Sequence, residues 1–324
     1  MLRRHLLQAG LAACGGLPAL PARAQAGYPG GRPITFVVPF AAGGGGDVVA
    51  RLLARELAPR LKGPVVVENR VGAGGNVGSA YVLKSRPDGY TLLNMSSSYA
   101  IQAAVSKVPY DPIADMQPIM MVSRDPGVVV VSEKSPLRSA ADLFAAARAN
   151  PGALTYGSAG IGSIAHLGME ELAFMMGVKF QHVPYKGSSQ AFSDVLAGTC
   201  DLMFTSSTFA IPFIRSGKVR ALGFSSPQRL PQMPDIPTFS EQGWQHLVVD
   251  WKAVAGPKGL PPDVIALLNR ELNEVLKLKA VSDKFAAEGT TGVGGTPEQM
   301  MQVVQSDLER WRALVAKANI KIEG

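Results

Sequence analysis

A two-lobed α/β architecture is what the sequence predicts, on three observations. Apolar runs of strand length alternate with amphipathic runs of helix length from residue 34 onward. The chain has 324 residues, enough for two domains at roughly 150 residues each. Residues 118–132 and 248–255 read as two extended crossings that sort those segments into two groups. Apolar residues make up 47% of the chain, enough to fill two cores. Gly and Pro punctuate the chain and form no low-complexity tract, and there is no internal repeat.

The elements follow in order. Residues 1–26 read as an export signal: Arg3 and Arg4, an apolar run from Leu6 to Leu20, then the small-x-small sites Ala22-Arg23-Ala24 and Ala24-Gln25-Ala26. Twin-arginine and Sec routes both fit, and a lipid anchor at Cys14 ranks below cleavage near Ala26. The apolar run is too short and interrupted to span a bilayer. Cleavage removes three arginines and no acid, taking the net charge from +7 to +4, with no Lys/Arg cluster to suggest nucleic acid. It also leaves Cys200 alone, in apolar surroundings that suit a buried, unreactive thiol.

Ile34 to Phe40 is a strand and Asp47 to Leu61 a helix. Val65 to Glu68 is a strand, with a helix reaching Ser85, and Tyr90 to Met95 is a strand before a helix to Val105. Beyond the first crossing, two apolar runs flanking Arg124-Asp125-Pro126-Gly127, Ala140 to Ala149 is a helix. Leu154-Thr155-Tyr156 starts a strand, and Ser163 caps a helix to Met176 with Glu170 and Glu171 on its solvated side. Phe180 to Val183, a helix to Leu196, the strand Asp201 to Thr205, a helix from Ser207 to Arg215 kinked or delayed by Pro212, and Arg220 to Phe224 follow. Residues 227–243 form a Pro-rich surface loop. Pro261 to Leu278 is a helix with Pro262 at its start, and the last helix carries Met301, Val304, Leu308, Trp311 and Leu314 on one stripe.

In such sheets ligands sit beyond the carboxyl ends of strands, at helix N-termini. Four loops rich in Gly and Ser take that position: 40–47, 95–98, 157–163 and 184–189. The run Gly43 to Gly46 fails as a P-loop, because Asp47 stands where a lysine is needed. It fails as a dinucleotide fingerprint, because Val48 and Val49 stand where the third glycine would fall. Backbone N–H groups remain, and these suit a carboxylate. Asp47 reads as a helix N-cap in preference to a ligand contact. Ser158 and Ser163 offer hydroxyls. His166 reads as structural, and His182 and His246 as isolated, so no metal set forms. Lys186 reads as solvated, leaving the backbone of 187–189 as the more secure contact. Gly157-Ser158-Ala159-Gly160 lacks the spacing of a nucleophile elbow, and there is no carboxylate dyad. The polar inventory suits holding a ligand, with no cofactor and no bond-breaking.

Blocks along the chain resemble the substrate-binding receptors of tripartite tricarboxylate transporters, the Bug receptors. They are Ile34 to Gly44 with Asp47 and Ala50-Arg51; Val66 to Arg70 with Gly72 to Asn76; Pro87 to Leu93; Leu154 to Ser158; Gly162-Ser163 with His166-Leu167; His182 to Ser188; Gly217 to Leu222; Pro234 to Thr238; and Trp251. The resemblance implies a type II periplasmic binding protein fold: lobe 1 from 27–127 and 245–324, lobe 2 from 128–244, joined by a double-crossing hinge. It implies a monomer that captures a small carboxylate and works with integral-membrane transporter subunits. Carried over, the ligand contacts are Phe40, Ala41, Ala42, Gly43, Gly44 and Asp47 from one lobe and Ser158, Ser163, Tyr185, Gly187 and Ser188 from the other. Ser97 and Ser206, in the same strand-end positions, complete the candidate set. Gly46 departs from the family's usual Thr or Ser before the aspartate, and Ser189-Gln190 stands where Pro is common. A ligand-presenting sensor and a serine hydrolase using Ser158 or Ser163 are the alternatives from other classes.

Overall fold

The computed structural model describes residues 27–318 and residue 320; the export signal expected over 1–26 lies outside them. Ten strands form one mixed sheet in two halves. In the first half β1 (Ile34–Val38) lies between parallel partners β2 (Val65–Asn69) and β3 (Thr91–Ser96). Antiparallel β9 (Val249–Pro257) then joins β3 to β4 (Met116–Ser132), and β10 (Thr291–Gly294) closes that edge. In the second half β4 pairs with β7 (Leu202–Ser206) on one side and β8 (Val219–Phe224) on the other. Parallel β5 (Thr155–Ser158) and β6 (Gln181–Pro184) extend it. The first crossing is therefore a single 17-residue strand, β4, that runs through Arg124-Asp125-Pro126-Gly127 where the sequence suggested two runs. Pro126 survives inside it because β9 ends its pairing there and β7 begins at Gly127, so no ladder bond is demanded of its nitrogen.

Helices cover both faces of each half. Helix α1 (Gly45–Leu61) buries Val49, Leu52, Leu53, Leu57 and Leu61 at helical spacing. These residues meet Val264, Leu268, Leu272 and Val275 of α8 (Pro262–Lys277), whose Pro262 sits in the first turn as expected. Helix α4 (Ala140–Ala149) matches its expected bounds and is capped by Ser139, which accepts from the Asp142 N–H at 3.1 Å. Helix α10 (Pro297–Ala318) buries Met300, Val304, Leu308 and Trp311. Met300 rather than Met301 turns inward, since it continues the i, i+4, i+8 row.

Four local expectations are corrected. The segment leading to Ser85 divides into a 3-10 turn at Ala73–Gly75 and α2 (Asn76–Leu83), because Gly74 and Gly75 take positive φ. Helix α7 (Ser207–Arg215) starts at Ser207 despite Pro212. Helix α9 (Lys279–Ala287) and β10 were not foreseen; Glu288 to Gly295 interrupts the pattern with four glycines and hides a four-residue strand. Glu170 and Glu171, on α5 (Ile164–Met176), are half-buried and paired: Glu170 accepts from the Tyr156 hydroxyl at 2.6 Å and Glu171 from Arg310 at 2.8 Å. Cys200 is buried and free, and burial raises its thiol pKa.

Trp311 packs with Ile101 and with the core of the second half, so α10 ties both halves together. Trp311→Ala is expected to cost about 3–5 kcal/mol in urea unfolding; a loss below about 1 kcal/mol would contradict this placement.

Candidate functional site

Five helices begin at the carboxyl ends of strands and aim their N-termini into the cleft between the halves. Helices α1 and α3 (Ser98–Val105) come from the first half. Helices α5, α6 (Ser188–Ala197) and α7 come from the second. The first residues or caps of all five, namely Gly44 to Gly46, Ser98, Ser163 with Ile164, Ser188 and Ser206, line one cavity of about 50 Å³. No Lys or Arg lines it, and Asp250 closes its floor. A wider cleft of about 430 Å³ adjoins it past Phe40 and Ala159, bordered by the Gly72–Asn76 loop, Gln102, Tyr185 and Lys186.

Of the expected contacts, Phe40, Ala41, Gly44, Asp47, Ser163, Ser188 and Ser206 line the small cavity, and Tyr185 borders the wider cleft. The other five take different work. The Ala42 carbonyl accepts from Ser189 Oγ at 3.0 Å, across the cleft. Gly43 donates its N–H to Asp47 Oδ2 at 2.9 Å. Ser97 donates to Asp250 Oδ1 at 2.6 Å, and its neighbour Ser98 accepts from the Ile164 N–H at 3.1 Å across the cleft. Ser158 is fully buried. Gly187 lies against Ala41; a Cβ there would sit 2.6 Å from the Ala41 Cβ.

Asp47 is not the cap; Gly44 is. Asp47 sits in the first turn and reaches back, accepting from Gly43 N–H, from Arg51 Nε at 2.9 Å and, through Oδ1, from Asn69 Nδ2 at 2.9 Å. Asn69 also donates to the Phe40 carbonyl at 3.0 Å, so one carboxylate and one amide staple the whole glycine loop. Burial raises the Asp47 pKa, but the hydrogen bonds from Arg51, Gly43 and Asn69 outweigh it and hold the pKa below the ordinary value.

In the second half the histidines are not isolated. His182 stacks on His166 with ring centroids 4.0 Å apart and on Tyr156 at 4.8 Å. Gly162 donates its N–H to His166 Nδ1 at 3.1 Å, and Ser163 caps α5 by accepting from the His166 N–H. Ser158 Oγ lies 2.6 Å from His182 Nε2 and also bonds the Gly160 backbone. Burial lowers the His166 and His182 pKa values to about 3 and about 4, so both rings are neutral scaffolds for the 158–163 loop. The Ser158–His182 pair has no exposed nucleophile and no carboxylate behind the ring among the described residues. The Tyr185 hydroxyl is turned away to Asp194, leaving only its ring for the cleft.

Sequence reading missed Ser98, Thr205 and Asp250. Ser98 was one of three consecutive serines with nothing to separate them. Asp250 carried a signal, an acid two residues from Lys252 in an otherwise apolar crossing. Among the described residues no cluster of His, Cys, Asp or Glu could hold a metal, and no helix is long and apolar enough to cross a membrane. Two surface grooves, about 690 Å³ each, border Val249 of β9 outside this cavity. Trp251 lines one of them and points opposite to Asp250.

The sequence profile of the family described as "Tripartite tricarboxylate transporter family receptor" matches residues 49–320. The chain belongs to this receptor family. It is similar to the protein BugT of Bordetella pertussis, 40% identical over 300 residues that cover 91% of this chain and 92% of that one. The receptor's fold is that of the periplasmic binding protein BugD: TM-score 0.87, 33% identity, covering 90% of this chain and 99% of the other. MatC from Rhodopseudomonas palustris, solved with bound malate, shares the fold at TM-score 0.85 and 29% identity, covering 88% and 99%.

Asp47→Asn should weaken the charge-assisted bonds that shape the receptor's glycine loop, costing about 1.5–3 kcal/mol near neutral pH. Because the folded pKa is depressed, that stabilisation is present above the unfolded carboxylate value of about 3.9 and disappears as pH falls through the folded value. Urea unfolding of both forms across pH should show the gap closing in acid; a gap independent of pH would contradict the assignment.

Proposed function

We propose that the protein is an extracytoplasmic receptor that captures a small carboxylate-bearing molecule between its lobes and delivers it to the integral-membrane subunits of a tripartite tricarboxylate-type transporter. The observation that carries this reading is the meeting of five helix N-termini from both halves on one small cavity without a lysine or arginine. The positive ends of five helix dipoles, with first-turn N–H groups directed at the cavity, favour an anion. Serine hydroxyls add donors, and none of these groups brings a full charge that would slow release. The bound malate of the related MatC has the chemistry this cavity would accept. The wider cleft beside it leaves room for the remainder of a molecule held by one carboxylate.

Contacts across the cleft support capture by closure. Ser189 to Ala42, Ile164 to Ser98 and Gln102 to the Ile161 carbonyl all join the two halves. Opening would break them by bending β4 and the chain entering β9, a hinge of a few residues. Export by residues 1–26 would place this cycle outside the cytoplasmic membrane.

A thermal-shift screen against mono-, di- and tricarboxylic acids, malate among them, with the matching amides as controls, tests the reading. An acid at about 100 times its dissociation constant should add about 2.7 kcal/mol of stability, and its amide nothing. Equal shifts with amides, or none with any acid after unfolding and refolding to strip bound ligand, would overturn it.

A further inference from the structure

Directly under the anion cavity, the two strands that cross between the halves bury three charges together. Asp125 on β4 and Asp250 on β9 are cross-strand partners. Lys252, two residues along β9, places its ammonium 2.5 Å from Asp125 Oδ1 and 3.1 Å from Asp250 Oδ2. Lys252 and Asp125 are fully buried and Asp250 is 7% exposed. Asp250 Oδ1 is occupied by Ser97, whereas Asp125 Oδ2 has no hydrogen-bond partner among the described residues. Two carboxylates against one ammonium leave an excess negative charge out of water, which is costly unless neutralised.

The surrounding elements supply little to neutralise it. Helix α1 presents Gly45, the cap of α3 presents Ser97 and α7 presents Thr208, none of them charged; Thr208, also bonded to Thr290 at 2.5 Å, opposes the rise of the Asp125 pKa as a hydrogen-bond donor. On the far face of β9, Asp307 of α10 accepts from Trp251 and adds a third acid, and Arg310 is held by Glu171. Arg124, next in the chain, is exposed on that face. Burial raises the Asp125 pKa, Lys252 opposes the rise and Asp250 reinforces it. Lys252 keeps its proton, because the two carboxylates outweigh the effect of burial.

The cluster also reaches the ligand position. Asp250 forms the cavity floor, and a Cβ built on Gly45 would lie 3.9 Å from Lys252 Nζ. An anion held at the α1 N-terminus adds negative charge beside a pair that already carries an excess, and so raises its proton affinity. We propose that this receptor takes up one proton when it captures a carboxylate, and that the Asp125–Lys252–Asp250 cluster holds it. The inference rests on the carboxylate reading above. The proton comes from solvent and goes to Asp125 Oδ2, the carboxylate oxygen that has no hydrogen-bond partner among the described residues. Since binding raises the proton affinity of Asp125, ligand affinity strengthens as pH falls between the free and the bound value, by about tenfold per pH unit for one proton. Histidine does not compete near neutrality: His166, His182 and His246 are already neutral, their pKa values lowered by burial to about 3, about 4 and about 4.

The test is calorimetric titration with malate, and in parallel with the acid giving the largest thermal shift. It is run over roughly pH 6–8 in buffers of different ionisation enthalpy, which report proton uptake directly. The expected result is uptake of about one proton in the native protein, with both uptake and pH-dependent affinity lost in Asp125→Asn. Asp250→Asn carries the same test should the first variant fail to show a native circular dichroism spectrum. Binding without proton exchange, or exchange unchanged in both variants, would overturn this inference alone. Failure of every acid to bind would overturn the receptor reading and this inference with it.

Discussion

Strand β4 belongs to both halves of the sheet, and everything near the cleft is placed relative to it. Its first part is flanked by β9 and β10, its last part by β7 and β8, so it cannot leave either half without breaking two ladders. The closure proposed above would bend it at the few residues where partners change. Gly127 stands at that change, and a Cβ on it would fall 1.8 Å from the Phe204 ring. Only a glycine lets the strand pass there with Phe204 packed as it is. The charge cluster of Asp125, Asp250 and Lys252 sits in the same place. The proposed hinge and the charged floor of the site thus draw on the same residues.

With the strand ends fixed, the helices that follow them bring partial positive charge to one point from five directions. A site of this kind gains affinity by number and placement of N–H groups, since each helix terminus contributes only about half an elementary charge. Placement then depends on loop shape, and each lobe holds its loops by a different device. In the first half Asp47, Arg51 and Asn69 bind the glycine loop through an ionic network. In the second, two stacked neutral imidazoles and Ser158 do the same through uncharged bonds. Neither device offers its polar groups freely to a ligand, although both were read from sequence as contacts or as incidental residues.

Much of the fold was legible because the elements are locally consistent. Apolar spacing identified α1, α8 and α10, the capping Ser163 identified α5, and strand–glycine–helix junctions located the cleft loops. What stayed hidden depended on partners distant in sequence. The pairing of His182 with His166 and Ser158 needs β5 and β6 to lie side by side. The burial of Glu171 needs Arg310, 139 residues away. β10 is too short and too rich in glycine to show a period. Asp250 and Lys252 stand out in an apolar crossing strand, but their role depends on Asp125, which only the pairing of β4 with β9 brings opposite Asp250.

The central claim is that the lobes close over a carboxylate held at the converging helix termini. Spin labels at exposed Val66→Cys in β2 and Phe174→Cys in α5 would report it by electron–electron distance measurement, with buried Cys200 left unlabelled. Malate, or the acid that binds best, should narrow the distribution to its shortest distance. Gly187→Ala, which places a methyl group against Ala41 without backbone strain, should keep it long. A distribution that does not change while the acid binds would contradict the account.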